Sequence, residues 1–343
     1  MLDSCEGVEF HAGMLAPAMV NAHAHLELSY LRGAITPHSG FAGFAAQMAR
    51  VRGGFTAAER EAAAVQADAE MWEEGTDAVA DISNDDSSFG VKSRSRIVYR
   101  TFAEVFGLKK PSFDAARPLL AHPRTSLTPH STYSLDDRAF RTLCNEGEEP
   151  LSIHFMESDS ERQLFEGYGP MAEWFAAEGF PCDFRHYGSP AKRIAACVPP
   201  GRSVLLVHCC AVTQEDIDVI MNHFTAPVYW VLCPRSNDYI SGAKPDVGLL
   251  RRSGVTICTG TDSLASNGSL SLAEELRRLH EIAAEEDLTV AESYSWASGN
   301  GAAALGLTGH AIEPGSSCGI VCISGFDPRT LRPTPAFSVK RVL

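Results

Sequence analysis

Short apolar segments alternate with longer stretches of helical periodicity along most of the chain. Eight segments read as strands: Met19–His25, Ala78–Ser83, Arg96–Phe106, Thr125–Thr132, Leu151–Glu157, Ser203–Cys210, Pro227–Leu232 and Val255–Thr261. Each is bounded by turn or helix-start residues and is rich in β-branched or aromatic side chains. Between them, Ala57–Glu74, Ser134–Glu146, Ser160–Glu178, Thr213–His223 and Ser271–Glu285 place apolar residues at three- and four-residue spacing, the mark of an amphipathic helix. Ser134 and Thr213 stand where helix N-caps belong, the latter followed by Glu215 and Asp216. Eight strands alternating with helices over residues 18–310 predict an α/β chain folded as a (β/α)8 TIM-type barrel. Residues 311–343 read differently, as two or three short strands. With residues 1–17 they are expected to form a small, reduced β-sandwich subdomain outside the barrel.

Composition narrows the function classes. The chain has 343 residues, 45% hydrophobic and 21% charged, which is ordinary globular composition and excludes a disordered or fibrous chain. Its net charge of −14 argues against nucleic acid or an anionic membrane as partner. No apolar run approaches the ~18 residues of a membrane span. The opening MLDSCEGVEF carries acids where a secretory signal carries basic residues and then an apolar stretch. The ten cysteines sit mostly in apolar runs without framework spacing, as reduced, buried thiols do. A cytoplasmic protein is the expectation, and the charge says little about a small-molecule substrate, which meets only the local field of its pocket.

The chemistry collects at the carboxyl ends of the predicted strands. The first ends in His23-Ala24-His25, and residues two apart on an extended chain project from one face, so both imidazoles can meet one ion. The fifth carries His154 and Glu157, the sixth ends at His208, and the eighth runs into Gly260-Thr261-Asp262. Taken singly, each has a plain structural reading, as a surface, capping or core residue. Taken together, at the one rim where barrels of this kind place their active sites, they compose a catalytic metal centre with an open position for water.

The set Asn21-Ala22-His23-Ala24-His25-Leu26-Glu27-Leu28-Ser29, His154-x-x-Glu157, His208 and Gly260-Thr261-Asp262-Ser263 resembles the amidohydrolase superfamily. Cys233-Pro234-Arg235-Ser236-Asn237 and Asp262-Ser263-Leu264-Ala265-Ser266-Asn267 are similar to its chlorohydrolase and deaminase branch, which includes cytosine, guanine and S-adenosylhomocysteine deaminases. The run His25–Gly33 looks closest to aminodeoxyfutalosine deaminase-like proteins. The resemblance covers nearly the whole chain. It implies one Zn²⁺ (or Fe²⁺) per chain held by His23, His25, His154 and Asp262, with Glu157 as proton shuttle and His208 orienting the water or substrate. Binuclear members carry a modified lysine on or near the fourth strand, and Thr125–Leu135 has none, so one metal is expected.

The implied activity is deamination of a purine- or nucleoside-type heteroaromatic amine. A metal draws a water's pKa down towards ~7, and a neighbouring carboxylate can pass protons to the ring nitrogen and the leaving amine. Hydrolysis of a C–Cl or cyclic amide bond at the same site, and a non-catalytic barrel used as a binding module, are the alternatives. His130 at the end of the fourth strand, Glu27, Arg32, Ser236 and Asn237 are the candidate substrate contacts. Relatives usually have more strands before the barrel. Either the small domain is therefore reduced, its tail covered in a possible homodimer, or the chain begins late.

Three further motifs are accidental matches. His25-Leu26-Glu27 lacks the P-C-x-x-C partner of cytidine-deaminase-type zinc enzymes. Gly315-Ser316-Ser317-Cys318-Gly319 precedes a strand and is no nucleophile elbow. The glycine-rich Gly299–Ala304 follows a helical stretch rather than a strand.

Overall fold

The computed structural model describes residues 9–343, so the first eight residues of the expected N-terminal remnant lie outside the described residues. Eleven strands run in chain order: β1 (Met14–Pro17), β2 (Met19–Ala24), β3 (Thr76–Ser83), β4 (Val98–Val105), β5 (Thr125–Pro129), β6 (Leu151–Phe155), β7 (Val204–His208), β8 (Val228–Leu232), β9 (Thr256–Thr259), β10 (Ile320–Phe326) and β11 (Pro333–Arg341). The eight predicted barrel strands are β2 to β9.

These eight pair in parallel as two four-stranded groups, β2-β3-β4-β5 and β6-β7-β8-β9. Two parallel bridges, Ser131 to His154 and Ala24 to Asp262, join the groups at their edges. Side chains reinforce both seams: Thr128 Oγ1 donates to the Ser152 carbonyl (2.6 Å) and Asn21 Nδ2 to Thr261 Oγ1 (2.7 Å). The result is a (β/α)8 barrel. Its strands are buried on both faces because helices cover the outside, and this explains their near-continuous apolar character. At the second seam a Cβ on Gly260 would lie 2.8 Å from the His23 Cβ and 2.9 Å from the His23 backbone, so only glycine allows β9 to run this close to β2.

Local chemistry decides where the helices start and stop. Thr213 caps the helix Gln214–His223 as expected, in a reciprocal capping box with Asp216. Ser134 does not cap the next helix: Asp136 does, accepting from Ala139 N, and the helix is Asp137–Cys144. The Ser134 hydroxyl is instead spent on the Ser131 carbonyl. The single helix expected over Ser160–Glu178 is two, Asp159–Glu166 and Gly169–Ala177, broken where Gly167 turns left-handed at φ 85°. Outside the barrel β1, β10 and β11 form an antiparallel three-stranded sheet. Arg341 anchors this sheet to the barrel's base: its guanidinium lies 3.6 Å from the Trp72 ring centroid and donates to the Trp72 and Thr76 carbonyls and to Asp77.

Candidate active site

At the mouth, the strands stop being extended. Met156, His208 and Asp262 have φ of 51°, 82° and 57°, left-handed values that side chains other than glycine rarely adopt. Such backbone persists only where the surroundings enforce it, and here it lies at the ends of β6, β7 and β9, where the chemistry-bearing residues gather.

His23, His25 and His154 each offer a nitrogen to one common point, their ligand atoms lying within 4.8 Å of one another. The Nε2 atoms of His23 and His25 face each other at 3.2 Å. Asp262 Oδ1 lies 3.8 Å from the first and 3.4 Å from the second. All four residues are buried. Burial first, and the neighbouring imidazoles next, hold His23 well below its ordinary value. Burial likewise lowers His25 to about 3, against the pull of Asp262, and His154 to about 4. For Asp262, burial would raise the pKa, but His25, His208, a Ser236 hydrogen bond and His154 outweigh it and hold the carboxyl low. Three neutral imidazoles and a carboxylate converging without a proton to share are the donor set of a divalent cation. His154 is fixed for that role, because its Nδ1 bonds the His130 carbonyl at 2.8 Å and leaves Nε2 free.

Around this cluster, Glu157 and His208 face each other, with 4.0 Å between Oε1 and Nε2. Burial pushes the Glu157 carboxyl up to about 7, where it can both take and give a proton near neutrality. Beneath it the buried Glu161 accepts from Met156 N at 2.7 Å and from the Thr132 hydroxyl, pinning the turn that carries Glu157.

The candidate substrate contacts divide. His130 lines the cavity and stacks on His154, ring centroids 4.5 Å apart. Glu27, Arg32, Ser236 and Asn237 do not line it. Glu27 is buried and accepts from Asn84 N (2.8 Å) and Asp85 N (3.2 Å), bracing the loop after β3. Arg32 pairs with Glu70 on the surface. Ser236 Oγ donates to Asp262 Oδ2 at 2.5 Å, and Asn237 Nδ2 to His208 Nδ1 at 3.0 Å.

The cavity has a volume of about 580 Å³ and opens over the cluster. Aromatic side chains make up much of its lining: Phe44 from the helix Gly40–Val51, Phe106, Trp174, Phe175 and Phe180. The lining also carries Asn84, Arg52 and the buried Glu104 of β4, none of which the sequence singles out. They belong to no motif, and Glu104 is one glutamate inside an apolar strand.

Residues 14–341 match the amidohydrolase family. The chain belongs to that family. The 5-methylthioadenosine/S-adenosylhomocysteine deaminase of Nitratidesulfovibrio vulgaris (strain DP4) is 26% identical over 289 residues, which are 78% of this chain and 60% of that protein. The chain thus spans about three fifths of that relative's length. Among solved structures, Helicobacter pylori aminofutalosine deaminase in complex with methylthio-coformycin superposes with a TM-score of 0.76 at 24% identity, covering 96% of this chain and 86% of that one. An adenosine deaminase from Xanthomonas campestris with bound zinc gives 0.72 at 22% identity, covering 91% and 72%. Among the described residues of this amidohydrolase, no helix is long and apolar enough to cross a membrane.

Proposed function

We propose that this amidohydrolase is a mononuclear aminohydrolase that deaminates a purine- or nucleoside-type heteroaromatic amine. His23, His25, His154 and Asp262 hold one zinc ion, and Glu157 and His208 do the proton work. The observation that carries this is the convergence of four buried donors, of which His25, His154 and Asp262 line the same cavity as Glu157 and His208. The names of the similar proteins, deaminases of adenosine-type compounds in the cases above, support the substrate class. A second ion on Glu104, His130 and His154 is disfavoured, because His154 Nδ1 is already committed to a carbonyl.

When bound, the cation supplies Lewis-acid activation of water at neutral pH. Glu157, held near neutrality by burial, accepts the proton released by the attacking water and returns it to the ring nitrogen. The same carboxyl then takes the proton of the new hydroxyl on the ring carbon and hands it to the amine, so that the carbon–oxygen double bond forms as the carbon–nitrogen bond breaks and ammonia leaves. Asp262, with Oδ2 tied to Ser236 and Ser266, keeps Oδ1 aimed at the histidines. The aromatic wall excludes bulk water from the ring.

Residues 18–310 are proposed as the catalytic barrel and 311–343, with the chain's N-terminal strand, as the small β unit. A cytoplasmic setting is part of the reading, supported by the described cysteines, which are free thiols. The test is metal analysis of the purified chain with an ammonia-release screen over purine and nucleoside amines. About one zinc per chain, lost in His154→Ala, and ammonia from at least one such amine are the expected results. Chloride or carboxylate release in place of ammonia would move the reaction to another bond. Absence of metal, with no rescue by added zinc, would leave a binding module.

A further inference from the structure

Glu104 is a buried carboxylate that the chemistry above does not use. It sits near the mouth end of β4, 4% exposed, and lines the cavity. Oε2 accepts from Asn84 Nδ2 at 3.3 Å, whereas Oε1 has no hydrogen-bond partner among the described residues. The nearest candidate, His154 Nδ1, is 3.6 Å away and already engaged with the His130 carbonyl. A buried acceptor left unpaired costs about 1–3 kcal/mol, more when charged, so an oxygen that faces a cavity takes its partner from whatever fills that cavity.

We propose that Glu104 is a specificity-determining residue, whose Oε1 receives a hydroxyl group on the substituent carried by the substrate's ring. Two observations place this contact on the substituent rather than on the reacting amine. Glu104 Oε1 lies 3.6 Å from His154 Nδ1, the nitrogen engaged with the His130 carbonyl, and so stands on the side of the ring opposite the free Nε2. Its polar neighbours in the lining, Asn84, which donates to it, and the cationic Arg52, make this stretch one where a polar substituent finds partners. A site built around such an acceptor discriminates strongly against an analogue that lacks the hydroxyl, because the carboxylate oxygen is then buried unpaired.

The inference rests on the deaminase reading, and its test separates the two. Zinc-loaded wild type, Glu104→Ala and Glu104→Gln are compared by kcat/KM on adenosine and its 2′-, 3′- and 5′-deoxy analogues, with zinc content and circular dichroism of each variant. Wild type should lose about 10- to 100-fold on the one analogue that lacks the contacted hydroxyl. Glu104→Ala should lose a similar factor on adenosine but less than about threefold on that analogue, with zinc retained. Equal losses on all four substrates, or none, would overturn the assignment, and so would loss of zinc. If wild type itself acts on none of the four, the deaminase reading for nucleosides fails along with this one, and the wild-type lane alone identifies that case.

Discussion

Asn237 donates its side-chain amide to His208 Nδ1 across 3.0 Å, and this leaves Nε2 as the proton-bearing nitrogen of the neutral imidazole, 4.0 Å from Glu157 Oε1. Burial keeps that ring neutral by lowering its pKa. His208 therefore presents a donor towards Glu157 in the cavity, and Asn237 decides that it does.

Reversing that bond should invert the donor. In Asn237→Asp a carboxylate would take the proton of Nδ1 and leave a lone pair on Nε2. We expect kcat to fall about 10- to 100-fold, with zinc content unchanged. Metal analysis beside steady-state kinetics checks this, and a variant with wild-type kcat would remove Asn237 from any positioning role.

Stability should depend on pH through Glu275, a carboxyl outside the cavity lining. This residue is buried in the helix Leu272–Ile282, accepting from Arg235 N at 3.0 Å and Asn267 Nδ2 at 2.6 Å. Burial chiefly raises its carboxyl from 4.5 to about 8. Between those values the folded chain holds a proton that the unfolded chain has lost, so stability is full below about pH 4.5 and falls as pH rises towards 8. Melting curves from pH 5 to 8 should slope less in Glu275→Gln than in wild type. Parallel curves would count against it.

Gly260 is predicted to tolerate no side chain. A Cβ there meets the His23 Cβ at 2.8 Å, so Gly260→Ala must push β9 from β2 at the seam that carries both a histidine and Asp262. A loss of about 1–3 kcal/mol in denaturant unfolding is expected, together with weaker zinc retention. Unchanged stability and zinc content would mean the seam is softer than its packing implies.

Trp174 separates binding from chemistry. It lines the cavity but is 39% exposed, so truncation removes little core. Trp174→Ala should raise KM about 3- to 30-fold and leave kcat within about twofold, the signature of binding energy spent equally on ground and transition states. A fall in kcat with KM unchanged would place it nearer the reacting atoms.

Much of this was legible in the sequence because it depends on short-range pattern. A strand's period and the turn residues around it revealed β2 to β9, and His23, His25, His154, His208 and Asp262 stand at strand ends that a barrel must bring together. What escaped depends on long-range packing. Ser134 and Asp136 are both competent caps, and only the Ser131 carbonyl decides between them. Ser236 and Asn237 are visibly polar and adjacent to the site, yet their partners, Asp262 and His208, are 26 and 29 residues away, so a direct substrate role and a supporting one look alike. Glu104 carries no sequence signal because its meaning lies in an oxygen left without a partner.

Arg341 has a practical consequence. It bolts the last strand to Thr76 and Asp77, where β3 begins, while β3 ends at Ser83 near the cavity mouth. The strand's eight residues put the two ends seven steps apart, roughly 23 Å at the usual rise. A surface linkage or fluorophore attached to an exposed position of β11, such as Lys340, would therefore hold the barrel by its base, with the cavity mouth pointing outward.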